Sequence, residues 1–281
     1  MTTIGFLGVG NMGKAIINGI SKANIKDIQL AVFDINPVKL KDIKNLTVNI
    51  CEDETELALC SDYLFLCVKP QIMDEVLKKI ASHIRQDTVV VSIAAGIPGE
   101  YIQSEIERYK TSKSLLASLI IDKTSVIQVM PNTPLMLGEG AVALAKIEPT
   151  TDKDLEFVRN IFATSGKTAV IPIDKMNEVI ALNGSSPAFI YLFAKAFIEY
   201  GIENGLDSDV CKNLIAQSLI GSAKMITDSK MDVEDLIIQV SSPGGTTLAG
   251  LERLYEGKFF EITKNACSAC LKRAKELGTK I

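Results

Sequence analysis

Over the first 172 residues, short uninterrupted apolar runs alternate with stretches whose apolar positions recur every three to four residues. The runs predict strands at 3–8, 28–33, 47–51, 63–68, 88–94, 125–130, 141–145 and 168–173. The periodic stretches predict helices at 12–22, 37–44, 71–82 and 152–163, the last opened by Thr151 or Asp152 as a cap. Several strands, such as Val89-Val90-Val91, are apolar without alternation, as strands buried on both faces are. Strands that alternate with helices in this way predict a parallel sheet covered on its faces by helices. After residue 173 the strand signal stops, and helices follow, broken at Gly205-Leu206-Asp207 and at 241–245. Leu214, Leu219, Ile220, Ala223 and Ile226 keep a 3.6-residue spacing, the mark of core or subunit interface. The expectation is an α/β chain with a parallel-sheet domain over 1–172 and an all-α domain over 173–281.

Composition narrows the function classes. With 281 residues the chain buries real cores without disulfide staples. Thirty basic against 34 acidic residues give a net charge of −4 with no block of like charge, which argues against nucleic-acid partners. The longest uncharged runs, 124–138 and 179–194, are short and broken by Pro, Asn and Ser, so no membrane span is expected. The N-terminus has neither a basic region nor a cleavage site, and the start reads as mature and cytoplasmic. The six cysteines read as reduced thiols. Cys267 and Cys270 form a CxxC, but with His83 the only histidine and no second CxxC, no metal site is expected.

Gly8-Val9-Gly10-Asn11-Met12-Gly13 is a GxGxxG placed directly after a strand and opening a helix, the context that makes this motif a dinucleotide cradle. Gly8 makes the tight turn, Gly10 admits a pyrophosphate, and Gly13 lets helix and strand pack, with helix N–H groups aimed at the phosphates. The first domain is therefore expected to be Rossmann-type. Asp34, 21 residues after Gly13 at the end of the second strand, is placed to accept both adenosine ribose hydroxyls, which favours NADH. Against a 2′-phosphate, only Asn36, Lys39 or Lys41 softens the repulsion. Cys67-Val68-Lys69-Pro70 closes another strand and leaves Lys69 at the rim, and Asn132 in Met130-Pro131-Asn132-Thr133-Pro134 is placed to position a nicotinamide or shape the cleft.

Ser242-Pro243-Gly244-Gly245-Thr246-Thr247 reads as a helix start with Ser242 as cap and Pro243 at the first helical position. Its exposed amides would hold a small carboxylate, and a Thr246 or Thr247 hydroxyl would reach a neighbouring nitrogen or oxygen. Alcohol oxidation needs a base, and His83 lies outside every motif. Hydride transfer to an already protonated imine needs only positioning.

Residues 241–251, Gly184-Ser185-Ser186-Pro187-Ala188-Phe189, and the segments 4–13, 68–71, 92–97 and 130–134 together resemble the pyrroline-5-carboxylate reductase family over nearly the whole chain. The resemblance implies reduction of 1-pyrroline-5-carboxylate to L-proline with NADPH or NADH. It also implies a helical domain that interlocks with a second subunit, active sites at the dimer interface, and assembly of the homodimer into a decamer. By position, Gly244, Gly245, Thr246, Thr247 and Ser186 would bind substrate, with the Thr247 hydroxyl at the ring nitrogen as the catalytic group. Asn11, Met12, Asn36, Val68, Pro70 and Ala94 would join the cofactor site. Three features depart from the family. Gln128 stands where an Arg is usual, Asp34 argues against the family's NADPH preference, and 110–123 reads as an insertion. A reductase of another cyclic imine and a nucleotide sensor without turnover are the alternatives. A β-hydroxyacid dehydrogenase would present a Lys in the region of 183–189, which has none.

Overall fold

The computed structural model describes residues 1–23, 25–41, 43, 46–111 and 123–278. Eight strands, β1 (Thr2–Leu7), β2 (Ile28–Phe33), β3 (Val48–Ile50), β4 (Tyr63–Leu66), β5 (Val89–Ser92), β6 (Ser125–Met130), β7 (Gly140–Ile147) and β8 (Gly166–Val170), form one sheet. Their order is β3-β2-β1-β4-β5-β6-β7-β8. The first six strands are all parallel, in the order of a dinucleotide-binding doubly wound fold. Ten residues or fewer join β6 to β7, too few for the crossover that a parallel partner needs, so β7 runs antiparallel to β6. The wholly parallel sheet expected from sequence is corrected at that strand. Helix α6 (Asp152–Ala163) then supplies the crossover that returns β8 parallel to β7.

The pleat sends alternate residues of each central strand to opposite faces. Phe65 of β4 and Val89 and Val91 of β5 meet one face, together with Ile16, Ile17 and Ile20 of α1 (Asn11–Ala23) and Val158 and Phe162 of α6. Leu64, Leu66 and Val90 meet the other, against Leu57 of α3 (Glu54–Cys60), Leu77 of α4 (Met73–Ile80) and Ile102 and Ile106 of α5 (Gly99–Thr111). Each large aliphatic or aromatic side chain so buried contributes about 1.5–3 kcal/mol. Between β2 and β3 the short helix α2 (Pro37–Lys41) carries Lys39.

Helices α3 and α5 were not among the sequence expectations. The α3 helix is only seven residues long, and its start is written in Asp53, whose carboxylate accepts the N–H groups of Thr55 and Glu56. The α5 helix leads into the stretch 110–123 read as an insertion and takes in its first two residues. Gln103 on it donates to the carbonyls of Thr124 (2.7 Å) and Glu148 (2.9 Å), pinning it beside β6. Of the supposed insertion 110–123, residues 112–122 lie outside the described residues.

The chain divides into two compact units, 1–185 with 270–281, and 186–269, whereas the sequence suggested a boundary at 172. The second unit is built from α7 (Ser186–Glu203), α8 (Ser208–Asp228), α9 (Val233–Gln239), α10 (Thr246–Glu256) and the first half of α11 (Phe259–Gly278). Gly205, at φ +84°, ends the α7 segment, and Asp207 caps α8 by accepting the N–H groups of Asp209 and Val210. In α7 only Pro187 and Gly201 are buried, and in α8 only Cys211. Leu214, Ile220 and Ile226, among the residues read as core or interface, are more than half exposed.

Candidate active site

At the carboxyl edge of the sheet the Gly8 N–H donates to the Phe33 carbonyl and the Cys67 N–H to the Leu7 carbonyl, both at 2.8 Å. The ends of β1, β2 and β4 therefore lie side by side. Gly8 has φ +101°, and a Cβ on it would stand 2.9 Å from the Cys67 carbonyl oxygen. A Cβ on Gly13 would stand 2.5 Å from the Gly8 carbonyl, whereas one on Gly10 would meet no protein atom within 4 Å. One glycine turns the chain, one lets helix and strand touch, and one leaves open space beside the backbone. The N–H groups of Asn11, Met12 and Gly13 precede the bond from the Lys14 N–H to the Gly10 carbonyl, the first of α1. This cradle fits a dinucleotide pyrophosphate.

Beside it opens a cleft of about 390 Å³, whose walls include Gly8, Gly10, Asp34, Val68 and Lys69. Burial pushes the Asp34 carboxyl up, but the N–H groups of Asn36 and Val9 and the Lys39 ammonium outweigh it and hold it below the usual carboxylate range. The Val9 N–H reaches Asp34 Oδ2 at 2.8 Å, the Asn36 N–H reaches Oδ1 at 2.9 Å, and Lys39 Nζ bridges both at 3.1 and 3.3 Å. Lys39, which the sequence had offered as a counter-charge to a 2′-phosphate, lines the cleft, as do Ile35 and Lys79, which were not among the expected site residues. Lys79 pairs with Glu54 at 3.1 Å and Glu75 at 3.6 Å. The Glu75–Lys79 spacing was visible in the sequence, but Glu54 needed α3. Burial pushes the Cys67 thiol up, so it offers no thiolate to the cleft.

The other expected cofactor residues lie outside this lining. Pro70 opens a short 3₁₀ turn after Lys69, and Asn36 accepts the Val38 N–H at 3.1 Å. Ala94 is buried just beyond β5, its N–H donating to Ser92 Oγ. Asn132, buried after β6, accepts the Ala141 N–H at 2.9 Å. Asn183, which sequence reasoning passed over, stands in a wide helical turn at Ala181–Ser185 and donates to the carbonyls of Met130 (2.6 Å) and Ala141 (3.1 Å). Two asparagines thus hold the end of β6 against β7. Gln128 is buried, with Oε1 accepting the Gly99 N–H and Nε2 donating to the Ile97 carbonyl, so its amide ties down a loop. His83 is half-buried in a 3₁₀ turn beside Ser82.

In the second unit the Gly245 N–H donates to the Ser242 carbonyl at 2.9 Å across Pro243 and Gly244, and Gly244 has φ +71°. Pro at the second position and a positive-φ Gly at the third make this a type II turn. Ser242 and Pro243 therefore lie in the turn, and the reading of them as cap and first helical residue is corrected. The α10 helix starts at Thr246 with Gly245 at its cap position and no side chain capping it. The N–H groups of Thr246, Thr247 and Leu248 precede its first helical bond, from Ala249 to Gly245. Ser186 is the first residue of α7.

Residues 174–277 match a family model described as pyrroline-5-carboxylate reductase dimerisation, and residues 3–96 match one described as NADP oxidoreductase coenzyme F420-dependent. The chain is 33% identical to the pyrroline-5-carboxylate reductase of Escherichia coli (strain K12), with 98% of each chain covered. It is 30% identical to that of Pisum sativum, covering 98% of this chain and 96% of the other. The crystal structure of Plasmodium falciparum pyrroline carboxylate reductase with NADP bound superposes with a TM-score of 0.84 at 30% identity, covering 99% of this chain and 98% of that one. The chain belongs to the pyrroline-5-carboxylate reductase family.

Proposed function

We propose that this chain reduces the C=N bond of 1-pyrroline-5-carboxylate to give L-proline, using NADPH or NADH. Full-length similarity to reductases of that name carries the reading. The nicotinamide cofactor supplies the hydride. Gly8, Gly10, Asn11, Met12 and Gly13 hold its pyrophosphate through backbone N–H groups, and Asp34 and Asn36 face its adenosine ribose. Val68, Lys69 and Pro70 form the rim, with Ala94 and Asn132 toward the nicotinamide half.

The substrate carboxylate is held by the amides of Gly244, Gly245, Thr246 and Thr247, where an uncapped helix start offers N–H groups and a favourable dipole. Ser186 lines the same subsite. The Thr247 hydroxyl sits at the ring nitrogen and accepts its N–H as the iminium is reduced. Hydride adds to the ring carbon, the C=N π electrons pass to nitrogen, and the resulting amine takes a proton from water. No side-chain base is required, because the iminium arrives already protonated.

The apolar faces left exposed on α7 and α8 are covered by a second copy, so the homodimer is the working unit and five dimers assemble into a decamer. The dimerisation match over 174–277 supports the first of these statements.

The test is turnover of pyrroline-5-carboxylate with proline identified as product. In Thr247→Val we expect kcat/KM to fall by about 10–100-fold, the loss of one hydrogen bond from a charged N–H, with nucleotide affinity unchanged. Full activity in the variant would remove the role given to Thr247. No turnover by the parent chain with either cofactor would overturn the proposed reaction.

A further inference from the structure

The Asp34 side chain is only 4% exposed, and its two oxygens take four contacts, one N–H and one approach of the same ammonium at each. A carboxylate has about four lone-pair sites, so none is left to accept a ribose diol without displacing a partner. Two of the partners are backbone N–H groups held by the glycine turn and the end of β2. The third is Lys39, whose side chain is 43% exposed and stands in the wall of the cleft. An ammonium is a compact charge on a flexible stem, and it can swing from Asp34 to a neighbouring anion while the two N–H bonds continue to hold the carboxylate.

Charge in the cleft points the same way. Lys39, Lys69 and Lys79 line it together with Asp34, Glu54 and Glu75. Lys79 is committed to the two glutamates, so Lys39 is the counter-charge of Asp34. With Lys39 present the adenosine end is neutral; without it a carboxylate alone would face any phosphate placed there. The rule that an acid at the end of the second strand rejects a 2′-phosphate presumes a free acid, and this one is neutralised.

We propose that Lys39 selects the cofactor: its ammonium cancels Asp34 and receives the 2′-phosphate of NADPH, so the chain accepts NADPH as well as NADH, and loss of Lys39 removes NADPH alone. The proposal rests on the dinucleotide reading of the cleft and not on the identity of the imine.

Calorimetric titration of the full chain with 5′-ADP and with 2′,5′-ADP tests it without turnover. The parent should bind the two with Kd values within about tenfold. Lys39→Met should weaken 2′,5′-ADP by tenfold or more and leave 5′-ADP within about twofold, and Lys39→Arg should restore the parent ratio. The unchanged 5′-ADP affinity certifies that the variant is folded. An unaltered ratio in Lys39→Met, or a parent that binds 5′-ADP and rejects 2′,5′-ADP, would overturn the role of Lys39. Failure to bind either nucleotide would overturn the dinucleotide reading together with it. Normal nucleotide binding without turnover of pyrroline-5-carboxylate would strike only the proposed substrate.

Discussion

The sheet unit and the helical unit spend their apolar residues in opposite ways. In the first, Phe65, Leu64, Leu66 and Val90 are fully buried between the sheet and its two helical layers, and the unit closes on its own side chains. In the second, Tyr191, Tyr200, Leu214, Phe260 and Ile262 stand about 60% exposed or more, and almost nothing within α7 to α10 is buried. Large apolar side chains exposed in such number mark surfaces that another molecule covers. A sheet with helices on both faces can satisfy itself from one chain. A few helices apolar on several sides cannot, and their missing core has to come from elsewhere. The residues of the proposed dinucleotide cradle accordingly lie in the self-enclosed unit, and the proposed substrate residues lie on helices whose apolar faces stand open.

The most damaging way to break this contrast is a charge on the helical face. On a monomer, Leu214→Glu at a side chain 63% exposed would change stability by no more than about 0.5 kcal/mol. If a second copy covers it, light scattering should show the mass fall to that of a single 30.5 kDa chain, with activity lost. An unchanged oligomer would remove the shared core from that face. A smaller effect is expected inside the sheet unit. Gly13→Ala forces a Cβ against the Gly8 carbonyl and should cost about 1–3 kcal/mol in thermal unfolding, with nucleotide binding lost as well. Gly10→Ala meets no protein atom, so it should leave the melt unchanged and weaken nucleotide binding alone. Equal melting losses in both variants would refute the division of labour among the glycines.

The smallest effect concerns Asp34. Its native pKa is lowered, so its ionised form adds stability that is present above the unfolded value near 3.9 and is lost as pH falls through the native one. Asp34→Asn should be less stable than the parent at pH 7, and the gap should narrow as the pH drops below about 4. A gap that is constant from pH 7 to pH 3 would mean that the charge of Asp34 does not matter to the fold.

Continuous apolar runs buried on both faces made the central strands β1, β4, β5 and β6 legible, β3 and β8 were legible from shorter and partly exposed β-branched runs, and the 3.6-residue pattern marked α1 and α6. The α3 helix escaped because seven residues present too little of that pattern, although Asp53 followed three positions later by Glu56 marked its start. The direction of β7 was not legible from its own residues, since apolar runs look alike in either sense. The connection length decided it. At 242–247 the glycines and threonines were read as an anion-binding helix start, but a Pro before two glycines suits a cap and a type II turn equally well. The positive φ of Gly244 decides for the turn.

What the sequence determined by itself is whatever depends on neighbours along the chain: strand and helix periods, the GxGxxG at a strand-to-helix turn, and the motifs that mark the family. Only the tertiary structure decided which side chain answers which. It brought Lys39 and the Val9 N–H onto Asp34, set Asn183 at the end of β6, and turned the Gln128 amide into a loop. Local propensity acts over a few residues, whereas the charge an acid shows to a ligand is set by partners that only folding brings within hydrogen-bond reach. Asp34 read alone predicts rejection of a 2′-phosphate, and Asp34 with Lys39 beside it does not.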